Sequence, residues 1–413
     1  MRRAPAILLF GTVIAVALSG CGSTGHPAPS HPSDNAGSIA SAKPRPEPDP
    51  VAGMTLAQLV GQVFMVGTTA GSAQSVSLRA VSELHVGNVF LSGRSHLGVA
   101  ATAAVVGQFR SRVTAAATAR QPLLVATDEE GGEVQVLSGP GFATMPTGVA
   151  QGKLSTGRIR TASVAWGASL SAAGVNMNLA PVVDLVASPA GAATNPPIGV
   201  FRREIGFAPG SIVSHANAFR AGMASSHVLT VLKHFPGLGH VTENTDTSRG
   251  VVDTTVTSGG ADLGIYRAEI AAGAPCIMVS SAVYSKLDPS APAIFSRKVV
   301  TDLLRGSLGF TGVIISDDLS AAAQIDGYSP GTRAIDAISA GDDIVLISSR
   351  PDLAAQMTAA VLAKAEVDPA FAATVKEAAR RVVELKHKYI AFDYPDGGAD
   401  PREANQNSAH PFL

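Results

Sequence analysis

Two segments of the sequence carry residues suited to acid–base chemistry, and each follows a run of apolar residues. Residues 233–239 read Lys-His-Phe-Pro-Gly-Leu-Gly, and Asp246 follows within the same polar, glycine-containing stretch. Residues 312–319 read Gly-Val-Ile-Ile-Ser-Asp-Asp-Leu, so a second apolar run ends in Asp317 and Asp318. Barrel enzymes keep their chemistry in loops of this kind, at the ends of strands. Two such acidic strand ends indicate a hydrolase that works through carboxylates.

The place of Asp317 within its run predicts where its side chain points. Side chains along a strand alternate between the two faces, so Val313, Ile315 and Asp317 share one face. If the two aliphatic residues face the interior of a barrel, Asp317 faces it as well. Asp318 then points toward the helix layer or the strand end, and we expect it to cap the helical segment that follows.

The elements that must position these residues alternate along the chain. Short runs rich in Val, Ile and Leu are separated by longer Ala-rich segments of helical period, which predicts βα units around a parallel sheet. Several runs are apolar throughout, as expected for strands covered on both faces. Eight runs can be counted, at residues 62–67, 86–93, 122–128, 175–181, 228–236, 274–282, 312–319 and 342–349.

Eight strands with intervening helices predict an α/β fold and, within it, a single-domain (β/α)8 barrel of the TIM type over residues 51–392. A doubly wound open sheet is the alternative. It requires a glycine-rich phosphate turn after its first strand, and Gly-Thr-Thr-Ala-Gly at residues 67–71 fits that pattern poorly. Polar residues at the carboxyl ends of the strands favour the barrel, which gathers those ends around one pocket. They are Asp128, Asp184, Lys233, His234 and Asp317.

The composition limits the classes of function. The chain has 413 residues, of which 46% are hydrophobic and 15% charged, so it can bury a full core. Its net charge of -1 and isoelectric point near 6.8 give no reason to expect a nucleic-acid partner. Aromatic residues make up only 5%, which favours a small pocket over a long sugar-stacking cleft. Because no His, Cys and carboxylate cluster has metal-ligand spacing, we expect neither a metal nor another cofactor.

The N-terminus has the three parts of an export signal. Arg2 and Arg3 precede an apolar run at residues 6–18, and Ser19 and Gly20 stand before Cys21. We interpret residues 1–20 as a signal peptide whose Leu-Ser-Gly-Cys end resembles a bacterial lipobox, with Cys21 as the lipidated first residue. The alternative is an ordinary signal peptide followed by an incidental cysteine.

The composition of two further segments predicts a lack of fixed structure. Residues 21–50 are rich in Pro, Ser, Gly and Ala, which is typical of a disordered tether, and residues 393–413 have the polar composition of a flexible tail. We therefore expect an exported protein, anchored by lipid alone to the outer face of a bacterial cell membrane. Only Cys276 would then remain besides the lipidated cysteine, so no internal disulfide is possible.

Five motifs, taken in order along the chain, resemble those of the family 3 glycoside hydrolases. Asp-Glu-Glu-Gly-Gly at residues 128–132 is similar to the family's D-x-E-G-G, and residues 174–184 resemble its strand-four signature. Arg-Glu-Ile-Gly at 203–206 stands where the family has R-S-F-G, residues 233–239 resemble K-H-F-P-G-H-G, and residues 316–319 resemble the nucleophile strand S-D-D-L. Within the family, the chain is most similar to single-domain bacterial β-N-acetylglucosaminidases that act on peptidoglycan fragments.

The resemblance implies a role for each motif. Asp317 would be the nucleophile of a retaining glycosidase, which needs a carboxylate on one face of the anomeric carbon and a proton donor on the other. Asp128 would accept hydrogen bonds from sugar hydroxyls, while Lys233 and His234 would donate to others and fix the ring. The alternative for Lys233 and His234 is a structural pair that holds the loop. Arg203 would bind the sugar or a carboxylate.

The acid/base residue is where the chain departs from the family. The related glucosaminidases carry D-S-H in the loop after strand five, and the histidine shuttles the proton, whereas residues 246–248 here read Asp-Thr-Ser. A serine hydroxyl cannot replace an imidazole as a proton shuttle near neutral pH. Three residues of this loop are candidates for the acid/base: Asp246 first, then Glu243, then His240. A carboxyl group in a partly dry site can have its pKa raised enough to donate a proton.

These observations together predict an exo-acting, retaining β-N-acetylhexosaminidase that removes terminal β-linked N-acetylglucosamine from cell-wall fragments. Two alternatives stay open. The missing histidine also fits an envelope lipoprotein that binds muropeptides with impaired catalysis, and it permits a β-glucosidase or β-xylosidase of the same family. In each case we expect a monomer whose partner is a carbohydrate.

Overall fold

Eight parallel strands form a closed barrel in a computed structural model of the chain, which describes residues 49–390. Each strand pairs with its neighbours in chain order, and the last pairs with the first. Each of the eight predicted runs overlaps one barrel strand, so the (β/α)8 prediction is confirmed. The strands are β1 (Phe64–Thr69), β2 (Asn88–Ser92), β3 (Leu124–Thr127), β4 (Met177–Asn178), β5 (Leu229–Phe235), β6 (Cys276–Val279), β7 (Val313–Asp318) and β8 (Ile344–Ile347).

Helices occupy the connections between the strands, as the Ala-rich segments predicted. Several begin at Pro with Ser or Asp directly before it, an arrangement that satisfies the free N–H groups of a first turn. A π-helical segment, Lys298–Ser307, replaces an α-helix before β7. The α-helices are α1 (Leu56–Gln62), α2 (Ser75–Glu83), α3 (Gly98–Arg110), α4 (Ala115–Thr118), α5 (Gly148–Gln151), α6 (Thr156–Ala172), α7 (Pro189–Ala192), α8 (Pro209–Ala224), α9 (Ala261–Ala271), α10 (Pro330–Ala340), α11 (Ala354–Val367) and α12 (Pro369–Tyr389).

Apolar side chains fill the interior of the barrel, and polar side chains lie at the carboxyl ends of its strands. The interior cluster takes residues from all eight strands or their immediate ends, including Val313 and Ile315 of β7. Helix α12 closes the opposite end, because its Val382 and Leu385 belong to the same cluster. The fully buried Lys386 fixes this closure by donating hydrogen bonds of 2.9 Å to the Gly87 carbonyl and 2.6 Å to a glutamine side chain.

The longest connections follow the carboxyl ends of the strands. A short hairpin, Glu129–Gly131 with Val134–Gln135, extends β3, and residues 179–208 follow β4 before helix α8. Residues 236–260 follow β5, and their strand Val252–Asp253 joins a small sheet with Val283–Tyr284 and Asp288–Pro292. The barrel therefore carries its extra chain at the end where active sites of this fold occur.

Several predictions fall on residues that the structure does not describe. The signal peptide at residues 1–20, the lipidation site Cys21, nearly all of the tether at residues 21–50 and the tail at residues 393–413 stay predictions. Of the tether, only Asp49 and Pro50 are described, and Asp49 pairs with Lys376 of α12 at 2.9 Å. Between residues 49 and 390, no helix combines the length and the apolar character needed to cross a bilayer.

Candidate active site

A cavity of about 200 Å³ opens at the carboxyl end of the barrel. Its apolar wall includes Phe90, Leu179, Met278 and Leu346, which belong to the interior cluster of the barrel. Its polar wall comes from the loops that follow β3, β4, β5, β7 and β8. Six of the eight predicted catalytic and substrate-binding residues line this one cavity, namely Asp128, Arg203, Lys233, His234, Asp246 and Asp317.

The end of β7 presents Asp317 to the cavity and ties Asp318 to the next strand. The backbone N–H of Asp318 donates a 2.8 Å hydrogen bond to Asp317 Oδ1. Asp318 Oδ1 accepts hydrogen bonds from the Ser320 hydroxyl at 2.6 Å and from the Ser348 N–H at 2.9 Å. The expectation that Asp318 points away from the pocket is wrong in part, because the strand register shifts between Ile315 and Asp318 and both carboxylates border the cavity.

Two cations that line the cavity, Lys233 and Arg203, form a network with the carboxylates of Asp128 and Glu130. Lys233 Nζ lies 2.6 Å from Asp128 Oδ1 and 2.6 Å from Glu130 Oε1. Arg203 donates two hydrogen bonds of 2.8 Å to the two oxygens of Glu130, a bidentate arrangement that fixes the guanidinium plane. Asp128 is the most accessible member, with 25% of its side chain exposed, so its carboxylate is available to a ligand.

Glu130 supplies the negative charge that keeps this network stable. Its side chain is only 4% exposed. Burial alone would raise the pKa of Glu130, but the charges of Arg203 and Lys233 outweigh burial and lower that pKa to about 2. Sequence reasoning named the two cations and missed the carboxylate between them, although Glu130 lies within the recognised Asp-Glu-Glu-Gly-Gly motif. The glutamate of that motif was the available signal.

His234 is oriented by Asp184, which sequence reasoning placed at a strand end without a role. His234 Nδ1 lies 2.7 Å from Asp184 Oδ2, and the N–H groups of His234 and Leu238 donate to Asp184 Oδ1 at 3.1 and 2.8 Å. The other ring nitrogen, Nε2, lies 3.3 Å from Arg203 Nη2. Burial would raise the pKa of Asp184, but the charge and hydrogen bond of His234 lower it. The imidazole is thereby held with Nε2 toward the guanidinium.

The loop after β5 places Asp246 at the mouth of the same cavity. The loop projects into solvent and Asp246 is exposed as a whole residue, yet its carboxylate borders the cavity. Desolvation raises the pKa of Asp246 to about 6, and the negative charge of Asp317 adds to the rise, while Arg203 and His234 oppose it. Asp246 and Asp317 are thus close enough to influence each other electrostatically.

The other two candidates for the acid/base lie elsewhere in this loop. His240 Nε2 lies 3.0 Å from Asp262 Oδ1, and that hydrogen bond, opposed by burial, raises the pKa of His240. Glu243 is exposed, and neither His240 nor Glu243 is among the residues that line the cavity. Ser248, which stands at the family's histidine position, does not line it either. The geometry therefore favours Asp246, although a catalytic role for any of the three stays a prediction.

The buried Asn195 sets the shape of the wall between the β4 and β5 loops. Its amide nitrogen donates hydrogen bonds of 2.8 Å to the carbonyls of Leu238 and Val241, and its oxygen accepts from the N–H groups of Ile198 and Gly199. This residue was not recognised from the sequence, because an isolated asparagine gives no local signal. Across residues 49–390, no group of three or more His, Cys, Asp or Glu side chains is arranged to hold a metal ion.

A (β/α)8 barrel with carboxylates around one small polar cavity at the carboxyl ends of its strands is typical of a class of proteins, the barrel glycoside hydrolases. The sequence profile of the glycosyl hydrolase family 3 N terminal domain matches residues 55–385. The chain belongs to glycosyl hydrolase family 3. The resemblance seen in its motifs is thereby confirmed.

Individual relatives agree with this assignment. A β-N-acetylhexosaminidase structure from Beutenbergia cavernae is 58% identical with a TM-score of 0.80, and the match covers 81% of this chain and 98% of that one. A beta-hexosaminidase from Nitrosomonas eutropha is 32% identical over 71% of this chain and 81% of the relative. An uncharacterized secreted glycosyl hydrolase from Arthroderma benhamiae is 36% identical over 55% of this chain, which spans only 64% of that relative. The first two of these relatives support β-N-acetylhexosaminidase activity.

Proposed function

We propose that this cavity hydrolyses terminal β-linked N-acetylhexosamine with retention of configuration, with Asp317 as nucleophile and Asp246 as acid/base. The observation that carries the proposal is the pairing of two carboxylates in different environments around one cavity. Desolvation and the charge of Asp317 raise the pKa of Asp246 to about 6, so Asp246 holds a proton where an ordinary aspartate is ionised. The carboxyl group with the raised pKa suits the acid role, and Asp317 at the end of β7 suits the nucleophile role.

The reaction follows from these two groups in two displacement steps. A carboxylate oxygen of Asp317 attacks the anomeric carbon, the bond from that carbon to the leaving oxygen breaks, and the Asp246 proton moves to the leaving oxygen. A glycosyl ester on Asp317 results. Asp246, now ionised, then takes a proton from a water molecule, whose oxygen attacks the anomeric carbon and releases Asp317. Both residues return to their starting protonation states.

The network around Glu130 supports recognition of the sugar. Asp128 can accept hydrogen bonds from hydroxyl groups, while the ammonium of Lys233 and the guanidinium of Arg203 can donate to sugar oxygens from fixed positions. A cavity of about 200 Å³ with apolar walls on one side is small, which supports removal of one terminal sugar unit rather than cleavage within a long chain.

The source of the substrate is a further part of the proposal. The Leu-Ser-Gly-Cys segment ending at Cys21 supports an exported, lipid-anchored protein on the outer face of the membrane. An enzyme anchored there meets β-linked N-acetylglucosamine in fragments of the cell wall. We therefore propose muropeptides with a terminal N-acetylglucosamine as the natural substrates.

Turnover of an aryl β-N-acetylglucosaminide by the purified protein tests the activity. We expect Asp317→Ala to abolish it, and a 2-deoxy-2-fluoro glycoside to label the peptide that contains Asp317. The control is Asp302→Asn. Asp302 lies in the π-helical segment that precedes β7 in the chain, and 60% of its side chain is exposed, so its substitution should leave turnover unchanged. Turnover that Asp317→Ala leaves unchanged contradicts the proposal. Tight muropeptide binding without hydrolysis would support the alternative of a sugar-binding lipoprotein. A preference for β-glucosides or β-xylosides would support the alternative of a β-glucosidase or β-xylosidase.

A further inference from the structure

The segment that carries Asp246 depends on one neighbouring loop for its tertiary hydrogen bonds. Within residues 242–250, Asn244 makes bonds that stay inside the segment, to the N–H groups of Asp246, Thr247 and Ser248. In the part of the chain that the structure describes, every side-chain or backbone hydrogen bond that leaves this segment ends on residues 323–326. These four residues lie in the loop after β7, the strand that carries Asp317.

Gln324 is the centre of this contact. Its backbone N–H donates to the Thr245 carbonyl at 3.0 Å, next to the 3.1 Å bond from Ala323 N to the Asp246 carbonyl. Its side-chain oxygen accepts from the Val251 N–H at 2.8 Å, and its side-chain nitrogen donates to the Val251 carbonyl at 3.1 Å. Gln324 thus bonds Thr245 through its backbone and Val251, directly after the segment, through its side chain. The Val251 carbonyl also accepts from the Val283 N–H at 3.1 Å, so the Gln324 side chain is one of two supports at that position.

The loop that contains Gln324 is itself rigidly supported. Arg333 of α10 donates hydrogen bonds to the carbonyls of Leu319 and Ser320 at 2.9 and 3.3 Å, and to the carbonyl of Tyr328 at 2.9 Å. Arg249 adds an exposed ion pair with a residue of the same loop, Asp326, which we expect to contribute little. Gln324 therefore connects this loop to a segment that makes few other hydrogen bonds to the rest of the described chain.

We infer that Gln324 is a positioning residue for the proton donor, and that its side chain sets where Asp246 stands over the leaving oxygen. This inference rests on the proposed role of Asp246. General acid catalysis requires the donor within hydrogen-bond reach of the oxygen it protonates, and small displacements lower the rate steeply. Asp317 is held separately, as part of β7. Its neighbour Asp318 is fixed there by accepting hydrogen bonds from the Ser320 hydroxyl and the Ser348 N–H. Loss of the Gln324 side chain should thus impair protonation more than nucleophilic attack.

The dependence on the leaving group separates these two effects. A 2,4-dinitrophenyl glycoside needs no protonation to depart, whereas a 4-methoxyphenyl glycoside does, and kcat/KM reports the first displacement for both. For Gln324→Met, we expect kcat/KM to stay within about 3-fold of the parent on the dinitrophenyl substrate and to fall about 30-fold on the methoxyphenyl substrate. That loss is smaller than the roughly 100- to 10,000-fold contribution of a general acid, because Asp246 is displaced but not removed. Gln324→Glu keeps the side-chain shape and removes the donor to Val251, so it should show the same selectivity even if the methionine variant fails to fold.

The matched control is Gln58→Met. Gln58 also bonds backbone groups through its side chain, with donors to the carbonyls of Ala115 and Ala116, but it lies in α1. We expect that variant to lose stability without any selectivity for the leaving group. If the Gln324 variants lose kcat/KM equally on both substrates, without selectivity for the leaving group, the inference is overturned.

Asp246→Asn in the same series distinguishes failure of the inference from failure of the proposed function. If Asp246→Asn shows strong selectivity for the leaving group and the Gln324 variants show none, only the positioning role of Gln324 is wrong. If Asp246→Asn itself lacks the selectivity, Asp246 is not the acid, and the inference falls with that assignment.

Discussion

Glu130 accepts two hydrogen bonds of 2.8 Å from the guanidinium of Arg203, although the two residues are 73 positions apart in the chain. The same glutamate lies 2.6 Å from Lys233 Nζ, so one buried carboxylate serves two cations that line the cavity. Breaking a buried ion pair from one side is costly, because the remaining charge has no solvent to stabilise it. These two cavity-lining cations therefore depend on a residue that does not itself line the cavity.

Glu130→Gln keeps the shape of the side chain and removes its charge. We expect the free energy of unfolding to fall by about 3 kcal/mol, since both cations stay buried with weaker partners. We also expect kcat/KM to fall more than 10-fold, mainly through KM, as Arg203 and Lys233 lose their fixed positions. Thermal unfolding and steady-state kinetics measure the two effects.

The matched control is Asp352→Asn, because Asp352 pairs with Arg350 through the same two-bond geometry at the surface. Both side chains of that pair are more than half exposed, so its loss should cost about 0.5 kcal/mol or less. If the two variants lower the free energy of unfolding equally, burial does not make the Glu130 network more important for stability than an exposed ion pair.

Acid stability should depend on the same glutamate. The two cations lower the pKa of Glu130 from 4.5 to about 2, against the effect of burial. A carboxylate whose pKa is lower in the folded state stabilises the fold above its unfolded pKa and loses that contribution as pH falls toward the folded value. We therefore expect unfolding free energy to drop between about pH 5 and pH 2, and Glu130→Gln to reduce that slope. Chemical denaturation across this range tests it, and an unchanged slope in the variant contradicts it.

The pH dependence of catalysis should report the proton on Asp246. Desolvation of its carboxylate at the cavity, with help from the charge of Asp317, raises the pKa of Asp246 to about 6 in the free protein. The acid must be protonated for the first displacement, so kcat/KM should fall as pH rises above about 6, with one basic limb. Rates on a poor leaving group between pH 4 and 9 test this. A basic limb that persists unchanged in Asp246→Asn would assign the proton to another group.

The three loop candidates for the acid/base can be separated by substitution. Asp246→Asn should lower kcat/KM on a poor leaving group by about 100- to 10,000-fold, the usual contribution of a general acid. Glu243→Gln and His240→Asn should each stay within about 5-fold, because Glu243 is exposed and His240 is paired with Asp262 away from the cavity. Added azide should restore turnover of an activated substrate by Asp246→Asn and yield a β-glycosyl azide. A larger loss in either of the other variants reverses the assignment.

The fold was readable from the sequence because parallel strands covered on both faces are apolar throughout. Runs such as residues 312–319 stand out against polar, Ala-rich helices, and the residues directly after them mark the carboxyl end of the barrel. From the carboxyl ends of the predicted strands alone, Asp128, Lys233, His234 and Asp317 could be predicted to share one cavity, as they do. Strand ends were less accurate, and β4 has only two residues where seven were predicted, although Asn176, Leu179 and Ala180 beside it still bond to β3 and β5.

The supporting contacts could not be read in the same way. Glu130 with Arg203, and Gln324 with Val251, join residues 73 positions apart in both cases, so no local pattern relates them. The acid/base loop has no periodicity, and its residues were ranked by chemical type alone. His240 had suitable chemistry, but its contact with Asp262 depends on how the loop packs against α9. Side-chain chemistry identifies candidates, while tertiary packing decides which of them reach the cavity.

In the neutral form of His234, the contact with Asp184 selects Nδ1 as the ring nitrogen that carries the proton. The carboxylate accepts from Nδ1 at 2.7 Å, which leaves Nε2 to accept from Arg203 Nη2 at 3.3 Å. An asparagine at position 184 can keep its oxygen toward the N–H groups of His234 and Leu238, which now bond Oδ1. Its NH₂ group then faces Nδ1, so the ring must carry its proton on Nε2. Nε2–H and the guanidinium would meet as two donors.

We therefore expect Asp184→Asn to switch the tautomer of His234 and to displace Arg203, lowering kcat/KM about 10- to 100-fold. Nitrogen chemical shifts of the labelled His234 ring measure the tautomer directly. The matched control is Asp253→Asn, since Asp253 is also buried and accepts two backbone hydrogen bonds of 2.7 Å, from Thr255 and Val256. Both variants lose bonds to a charged group, at about 2 kcal/mol of stability each. Only Asp184→Asn should change the ring shifts, and loss of activity without that change would refute the tautomer mechanism.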